Sequence, residues 1–329
     1  MEAYDAELVP PPFGQQNSGA VCYFNSLWQM LIGLTAFTST VLKHQDYMRQ
    51  TTTGIAVLNF VMEYNALSAA QSSKIPTAET TKILHALIQD LAARRPSVRF
   101  GSGQESASEA LHLLLDMIEP PGTTLDSERP VTQLFSHRYL CDLRCLTCND
   151  VVSSMSDYAV NFNLFHMDRR PPTSPEEFSK QLRIIVEPVS GYRCPNCKIE
   201  TSGARISKLM MVPEILFCMF NLYEGFGGAH RARYFPMSLQ IPARTGGDFN
   251  YQLVGQVEHS GGLHGGHYLA RGLRKNMAND SAVFMLNDMG VSQSNFMSTP
   301  NTYIVAYHYT GPSQMQISIP ICQGGAALA

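Results

Sequence analysis

Apolar positions recur at helical spacing through the first third of the chain. Phe24, Leu27, Trp28 and Leu31 share one face, as do Ile83, Leu84, Leu87, Ile88 and Leu91, and again Leu111, Leu114, Leu115 and Ile118. Recurrence at i, i+3 and i+4 predicts amphipathic helices, so residues 22–119 read as mostly helical. The pattern then changes. Residues 131–205 hold strand-like runs and two CxxC pairs. Residues 206–310 hold the runs VPEILFCMFNLY, YQLVGQVEH, HYLARGL, AVFMLND and TYIVAYHY, separated by Gly, Asn and Pro, and read as strands. There is no internal repeat. The tail after Thr310 carries no charged residue, ends in GGAALA and reads as loose.

Composition narrows the class. Hydrophobic residues make up 44% and charged residues 16%, which describes a globular chain rather than a disordered one. The net charge of −3 comes without runs of like charge, and argues against nucleic acid or an anionic membrane as the main partner. The opening MEAYDAELVPPP is acidic and then proline-rich, unlike a signal or transit peptide. The most apolar window, Leu209 to Tyr223, is broken by Pro213 and Glu214 and is too short to span a bilayer. A cytoplasmic or nuclear location is therefore expected. In such a reducing compartment, paired cysteines point to metal or catalysis before disulfides.

One cysteine has a special setting. In NSGAVCYFNSLWQML the helix-patterned run begins at Cys22, behind a small flexible turn. A helix N-terminus offers unpaired N–H groups and partial positive charge, which favour a thiolate. Cys22 is thus either a nucleophile or a small core residue. A nucleophilic thiol needs a general base from elsewhere in the chain. Among ten histidines, His267 stands out in EHSGGLHGGHYLAR, where Gly265 and Gly266 allow close approach of backbone or substrate. Downstream, in FMLNDMGV, Asn287 and Asp288 are both candidates to orient an imidazole.

The other pairs spell a metal site. Cys145-Leu-Thr-Cys148 and Cys194-Pro-Asn-Cys197 are two tight thiol knuckles, and four thiolates close a structural Zn²⁺ site, one per chain. The 45 residues between the pairs suit two long ribbons clamped at their tips. Four unrelated cysteines are the alternative. Cys141 is a weaker candidate ligand, and Cys218 and Cys322 read as bystanders.

Five segments in order resemble the ubiquitin-specific protease family. NSGAVCYFNSLWQ is similar to its cysteine box and YQLVGQVEHSGGLHGGHYLA to its histidine box; LNDMGV, GQESASEALHLLLDMIE and VPEILFCMF resemble three further motifs, and the CxxC pairs match its fingers. The resemblance runs from about residue 13 to 310. It implies an α+β, papain-like cysteine protease fold with a helical thumb, zinc-bearing fingers and a β-rich palm. The implied division is an N-terminal segment 1–12, one catalytic domain 13–310 (thumb about 13–130, fingers about 131–205, palm about 206–310) and a tail 311–329. The implied activity is a deubiquitinase that cuts after the C-terminal Gly-Gly of ubiquitin or a ubiquitin-like modifier. Cys22 would be the nucleophile, His267 the base, Asn287 the orienting residue and Asn17 an oxyanion donor, with Asp288 acting beside them. Gln104, Glu109, His259, Gly265, Gly266 and Tyr268 fall in segments that would meet the substrate.

The chain also departs from the family. Ser106 stands where an acid is usual, and Ala110 where an aromatic is usual. Glu109 remains, yet Ser106-Ala107-Ser108-Glu109 is also a capping box, so Glu109 is either a substrate contact or part of a cap. His259 reads as a loop or tail-channel residue and Trp28 as core. A catalytically weak or inactive ubiquitin-binding scaffold on the same fold and a zinc-ribbon interaction or nucleic-acid module are the competing classes. The intact Cys22, His267 and Asn287 set argues against the first, and the near-neutral charge with a single zinc site against the second.

Overall fold

The computed structural model describes residues 11–17, 19–69, 77–94, 105–120, 129–160, 165–166, 172–220, 222, 233–242, 248–262, 265–275 and 280–311. Gln104, Cys322 and residues 1–10 and 312–329 of the expected end segments lie outside them.

The helical part comes first. It comprises α1 (Cys22–Ile32), α2 (Thr35–Lys43), α3 (Gln45–Met48), α4 (Thr52–Ala69), α5 (Thr77–Arg94), α6 (Ala107–Ile118) and α7 (Pro130–Gln133). Strands β1 (His137–Cys145), β2 (Val151–Val160) and β3 (Phe165–His166) follow, then α8 (Pro175–Arg183), β4 (Ile184–Arg193) and β5 (Glu200–Met211). The rest is β6 (Ile215–Met219), β7 (Ser238–Pro242), β8 (Asp248–Gly262), β9 (Gly265–Lys275), β10 (Ser281–Asn287), β11 (Gly290–Gln293) and β12 (Thr302–Tyr309). The class is α+β.

Two sheets divide the strands. A four-stranded antiparallel sheet of order β2-β1-β5-β4 forms the fingers. The palm is an eight-stranded sheet of order β11-β10-β9-β8-β12-β6-β3, with β7 paired to β8. The strand-like runs read from the sequence fall on β6, β8, β9, β10 and β12. Within the segment VPEILFCMFNLY the strand spans Ile215–Met219, and Pro213 precedes the ladder. α8 was not foreseen: its sequence is polar, and its buried apolar residues among those described are Phe178 and Leu182, one turn apart, beside the buried Ser179.

The core explains how α1 is held. All eleven of its residues are buried, not one face alone. One side packs on the helical lobe, where the Trp28 ring meets Phe60 edge-on at 4.9 Å and stacks near Phe24. The other side lies against β9 and β10. Fully burying a large apolar side chain stabilises by roughly 1.5–3 kcal/mol, so a helix enclosed on all sides is fixed firmly in place. Two of its buried polar side chains bond main-chain carbonyls: Ser26 Oγ donates to that of Tyr23 at 2.9 Å, and Gln29 Nε2 to that of Phe13 at 2.7 Å. No described helix is long and apolar enough to cross a membrane.

Candidate active site and metal centre

Cys22 is the first residue of α1, and the preceding Val21 offers no side-chain cap. The first intrahelical bonds run from the Phe24 and Asn25 N–H groups to the Val21 carbonyl, at 3.0 and 2.9 Å. The Tyr268, Tyr23 and Cys22 N–H groups lie against the sulfur and favour the thiolate. Burial nonetheless dominates and pushes the Cys22 thiol up, and the Asp288 carboxylate adds to the rise. This corrects the expectation from the helix mouth alone. With 2% of the residue exposed, lost solvation outweighs the N–H groups and the helix dipole.

The histidine comes from β9. His267 sits opposite Ser260 of β8, and the next residue, Tyr268, aims its N–H at the Cys22 sulfur. His267 Nε2 lies 2.6 Å from Asn287 Oδ1, at the end of β10. An amide oxygen accepts, so Nε2 carries the proton and Nδ1 is the free basic nitrogen of the neutral ring. The Asp288 carboxylate stands 4.0 Å from the same Nε2. Of the two neighbours, Asn287 therefore bonds the ring.

Asp288 faces another way. Asn287 pairs with Gly290 across the β10–β11 turn, and Asp288 has φ +48, in the left-handed region. That turn aims its carboxylate at two amides: Asn17 Nδ2 donates to Oδ2 at 2.9 Å and Asn25 Nδ2 to Oδ1 at 2.7 Å. The Gln15 N–H donates to the Asp288 carbonyl at 2.9 Å. Asn17 Oδ1 accepts from the Gly19 and Val21 N–H groups at 3.1 and 3.4 Å. Asp288 thus ties the loop before the cysteine to α1, where Asn25 lies one turn beyond Cys22. Sequence reading missed Asn25; its only signal was that i, i+3 spacing from the cysteine.

The remaining candidates scatter. His259 is no loop residue: it is buried in β8, its ring 4.2 Å from that of Tyr268, its cross-strand partner. Burial, and then the nearby His267, push its pKa down. A Cβ at Gly266 would stand 2.3 Å from His259 Nε2, so this ring demands glycine beside His267. Gly265 and Glu109 are exposed. The Glu109 N–H donates to the N-cap Ser106 Oγ at 3.5 Å. Ser106 Oγ also lies 3.0 Å from the Tyr303 hydroxyl, which in turn lies 2.8 Å from Ser108 Oγ.

The four paired cysteines meet at the tip of the fingers. Their sulfurs all lie within 4.8 Å of one another. Cys145 and Cys197 are 3.8 Å apart and Cys148 and Cys194 3.7 Å. Sulfurs at ~2.3 Å from a tetrahedral ion would stand ~3.8 Å apart. The two knuckles match each other. The Asn149 and Lys198 N–H groups donate to the Cys145 and Cys194 carbonyls at 3.0 and 2.9 Å, and both residues have positive φ, 58° and 60°. The Cys197 N–H points at the Cys194 sulfur at 3.4 Å. Cys145 is held down to about 6, first by the Cys148 N–H, while Cys197 is pushed up, first by its bond to Cys148. Four sulfurs this close cannot all be thiolates without a cation among them, so the donor set fits a structural metal ion. Cys141 stands apart, its sulfur 3.2 Å from Ser207 Oγ, and Cys218 is buried in the palm.

A helical lobe set against an eight-stranded palm sheet, with four-cysteine fingers, is the architecture of the papain-like fold of ubiquitin-specific proteases. The chain belongs to the ubiquitin carboxyl-terminal hydrolase family, which matches residues 13–307. Two curated relatives, each named Ubiquitin carboxyl-terminal hydrolase 36, come from Drosophila virilis and Drosophila ananassae. They are 22% identical over 323 residues and 24% over 289, covering 89% and 79% of this chain. The chain spans 25% of the length of each. Among solved structures, it is similar in fold to the Ubp8 chain of the SAGA deubiquitinating module bound to monoubiquitin, and of the module bound to ubiquitin aldehyde. The TM-scores are 0.72 and 0.71, with 17% identity over 94% of this chain and 71% of that one.

Proposed function

We propose that this chain is a thiol-dependent deubiquitinase, hydrolysing the bond after the C-terminal Gly-Gly of ubiquitin or a ubiquitin-like modifier. The observation that carries this is the 2.6 Å bond between His267 Nε2 and Asn287 Oδ1. It holds the tautomer whose free Nδ1 takes a proton. Because burial keeps the Cys22 thiol protonated at rest, the base removes its proton as attack begins. The Cys22 sulfur then adds to the scissile carbonyl. Asn17 has one amide N–H on Asp288, and its second N–H, with the main-chain N–H of Cys22, stabilises the oxyanion. His267 returns the proton to the departing amine, and a water completes hydrolysis.

Ubiquitin as substrate is supported by the family match and by the ubiquitin-bound state of the two fold neighbours. Gly265, Gly266, Glu109 and, outside the described residues, Gln104 are proposed to line its path, with His259 and Tyr268 forming the wall beneath. The four-cysteine tip is proposed to hold one Zn²⁺, which braces the fingers and takes no part in the chemistry. The boundaries at about 130 and 205 are proposed for thumb, fingers and palm; β5 crosses the second and joins fingers to palm.

One observation favours a second reading. The buried, proton-holding thiol would also suit a ubiquitin-binding scaffold of weak activity. Incubation with ubiquitin bearing a C-terminal electrophile separates the two. A covalent adduct mapped to Cys22 supports the enzyme; binding without adduct supports the scaffold.

A further inference from the structure

Arg274 is fully buried on β9, the strand that carries His267. Its Nη2 donates to the main-chain carbonyl of Gln29 and, at 3.1 Å, to Gln29 Oε1; its Nη1 donates to the Leu273 carbonyl at 2.8 Å. Gln29 lies in the last turn of α1, where the dipole is negative and its carbonyl has only a long bond of 3.4 Å from the Gly33 N–H. A guanidinium there is at the favourable end. Gln29 also bonds the Phe13 carbonyl, at the head of the segment that leads to Asn17. The phenol of Tyr64, on α4, lies beside the guanidinium.

One strand therefore grips both ends of one helix. Near its start the Tyr268 N–H meets the Cys22 sulfur. Near its end Arg274 holds Gln29. We propose that Arg274 is a positioning residue for the reaction: it sets the placement of α1 along β9, and so the placement of Cys22 relative to His267 and Asn17. This rests on the reading of Cys22 and His267 as the catalytic pair. Apolar burial holds α1 between lobe and sheet but is non-directional, and by itself leaves the helix free to shift along β9 by a fraction of an ångström. Directional bonds from a planar, always-charged guanidinium remove that freedom.

Gly33 supplies a way to displace the guanidinium without removing it. It caps α1 at φ −70°, ψ −13°, a backbone that alanine adopts freely. Yet a Cβ there would stand 2.2 Å from Arg274 Nη1. Gly33→Ala must therefore push the guanidinium off Gln29.

The test compares Arg274→Met, Arg274→Lys, Gly33→Ala and the Arg274→Met/Gly33→Ala double variant, all assayed well below their melting temperatures. Three quantities are read: kcat and KM on ubiquitin with a C-terminal fluorogenic amide, and the rate of Cys22 alkylation by iodoacetamide, mapped by peptide mass. Displacement of the nucleophile by well under an ångström lowers kcat by about tenfold or more, with KM changed by less than about threefold. Alkylation of Cys22 at neutral pH falls in parallel, and Arg274→Lys recovers part of both. The double variant is no worse than Arg274→Met, because the added methyl then has room. Unchanged kcat and alkylation in folded Arg274→Met and Gly33→Ala, with only the melting temperature lowered, would overturn the proposal. Gly33→Ala keeps the charge and carries the test where Arg274→Met does not fold. Absence of hydrolysis and adduct in the unsubstituted chain would instead count against the deubiquitinase reading, and the alkylation arm would still decide whether Arg274 holds Cys22.

Discussion

His267 Nε2 lies 2.6 Å from Asn287 Oδ1, whereas the Asp288 carboxylate, one residue further on, stands 4.0 Å from the same nitrogen and bonds Asn17 and Asn25 instead. The two neighbours therefore have separable tasks. Asn287→Ala should lower kcat by freeing the imidazole. Asp288→Ala should release Asn17 from its fixed pose. Loss of one oxyanion donor costs about 2.7–4 kcal/mol, a fall of about 10²–10³ in kcat. The check is non-additivity: if Asp288 acts through Asn17, the Asn17→Ala/Asp288→Ala double variant is hardly slower than either single one. Additive losses would place Asp288 in a separate role.

The resting state of the thiol gives a second expectation. Burial pushes the Cys22 pKa up, so at neutral pH the thiol needs a base to react. In His267→Ala, alkylation of Cys22 should fall steeply at pH 7. The deficit should narrow as pH rises through the alkaline range, where hydroxide removes the proton unaided. Rate–pH curves that stay parallel for the parent and the variant would contradict this. Cys22→Ala should abolish hydrolysis while leaving the melting temperature nearly unchanged, since it removes one sulfur from the head of α1.

Much of this site was legible because its signals are local. CxxC spacing specifies a knuckle by itself, and Cys22 at the head of an apolar helical run marks a helix mouth. What could not be read is direction. The letters Asn25, Ser26 and Gln29 look like a polar face, yet all three are buried, because β9 and β10 cover that side of α1. The turn at Asp288 aims its carboxylate at Asn17 and Asn25 rather than into a bond with His267, through a positive φ that no spacing rule encodes. The thiol's raised pKa depends on how much protein surrounds it, a tertiary property. α8 hid because two apolar residues one turn apart give too little periodicity.

The metal centre predicts stoichiometry and locality. Protein purified without chelator should contain one Zn²⁺ per chain. Cys194→Ser, or a strong chelator, should loosen β1, β2, β4 and β5, because closing the site is coupled to folding of the ribbons. Hydrogen exchange should rise there and stay low in β8, β9 and β12. Metal analysis that finds no zinc, or exchange that rises uniformly, would remove the brace from the account.

Glu109 and Ser106 can now be parted. Glu109 is exposed, and its own N–H is what Ser106 caps. Ser106→Ala should cost about 1 kcal/mol of stability. Glu109→Gln should cost little stability but raise KM if its carboxylate meets a basic residue of the substrate tail, with kcat little changed because the contact lies away from the reacting carbonyl. A lowered melting temperature with unchanged KM would return Glu109 to a capping role.

A buried histidine at the root of the fingers sets a pH dependence of stability. His137 is 1% exposed at the start of β1, its ring edge-on to Tyr139, and burial holds its pKa down to about 4. The native chain therefore keeps it neutral, while the unfolded chain protonates it near the ordinary value of about 6.5. Between those two values the unfolded state binds more protons, so stability falls as pH falls. The contribution is complete above about pH 7 and is lost progressively toward pH 4. From pH 7 to pH 5 the loss is about 2 kcal/mol, enough to lower the melting temperature by a few degrees for a chain of this size. His137→Phe keeps a ring on Tyr139 and has no proton to gain. Its melting temperature should change less than the parent's over that range, and an equal slope in the two proteins would assign the acid sensitivity to another group.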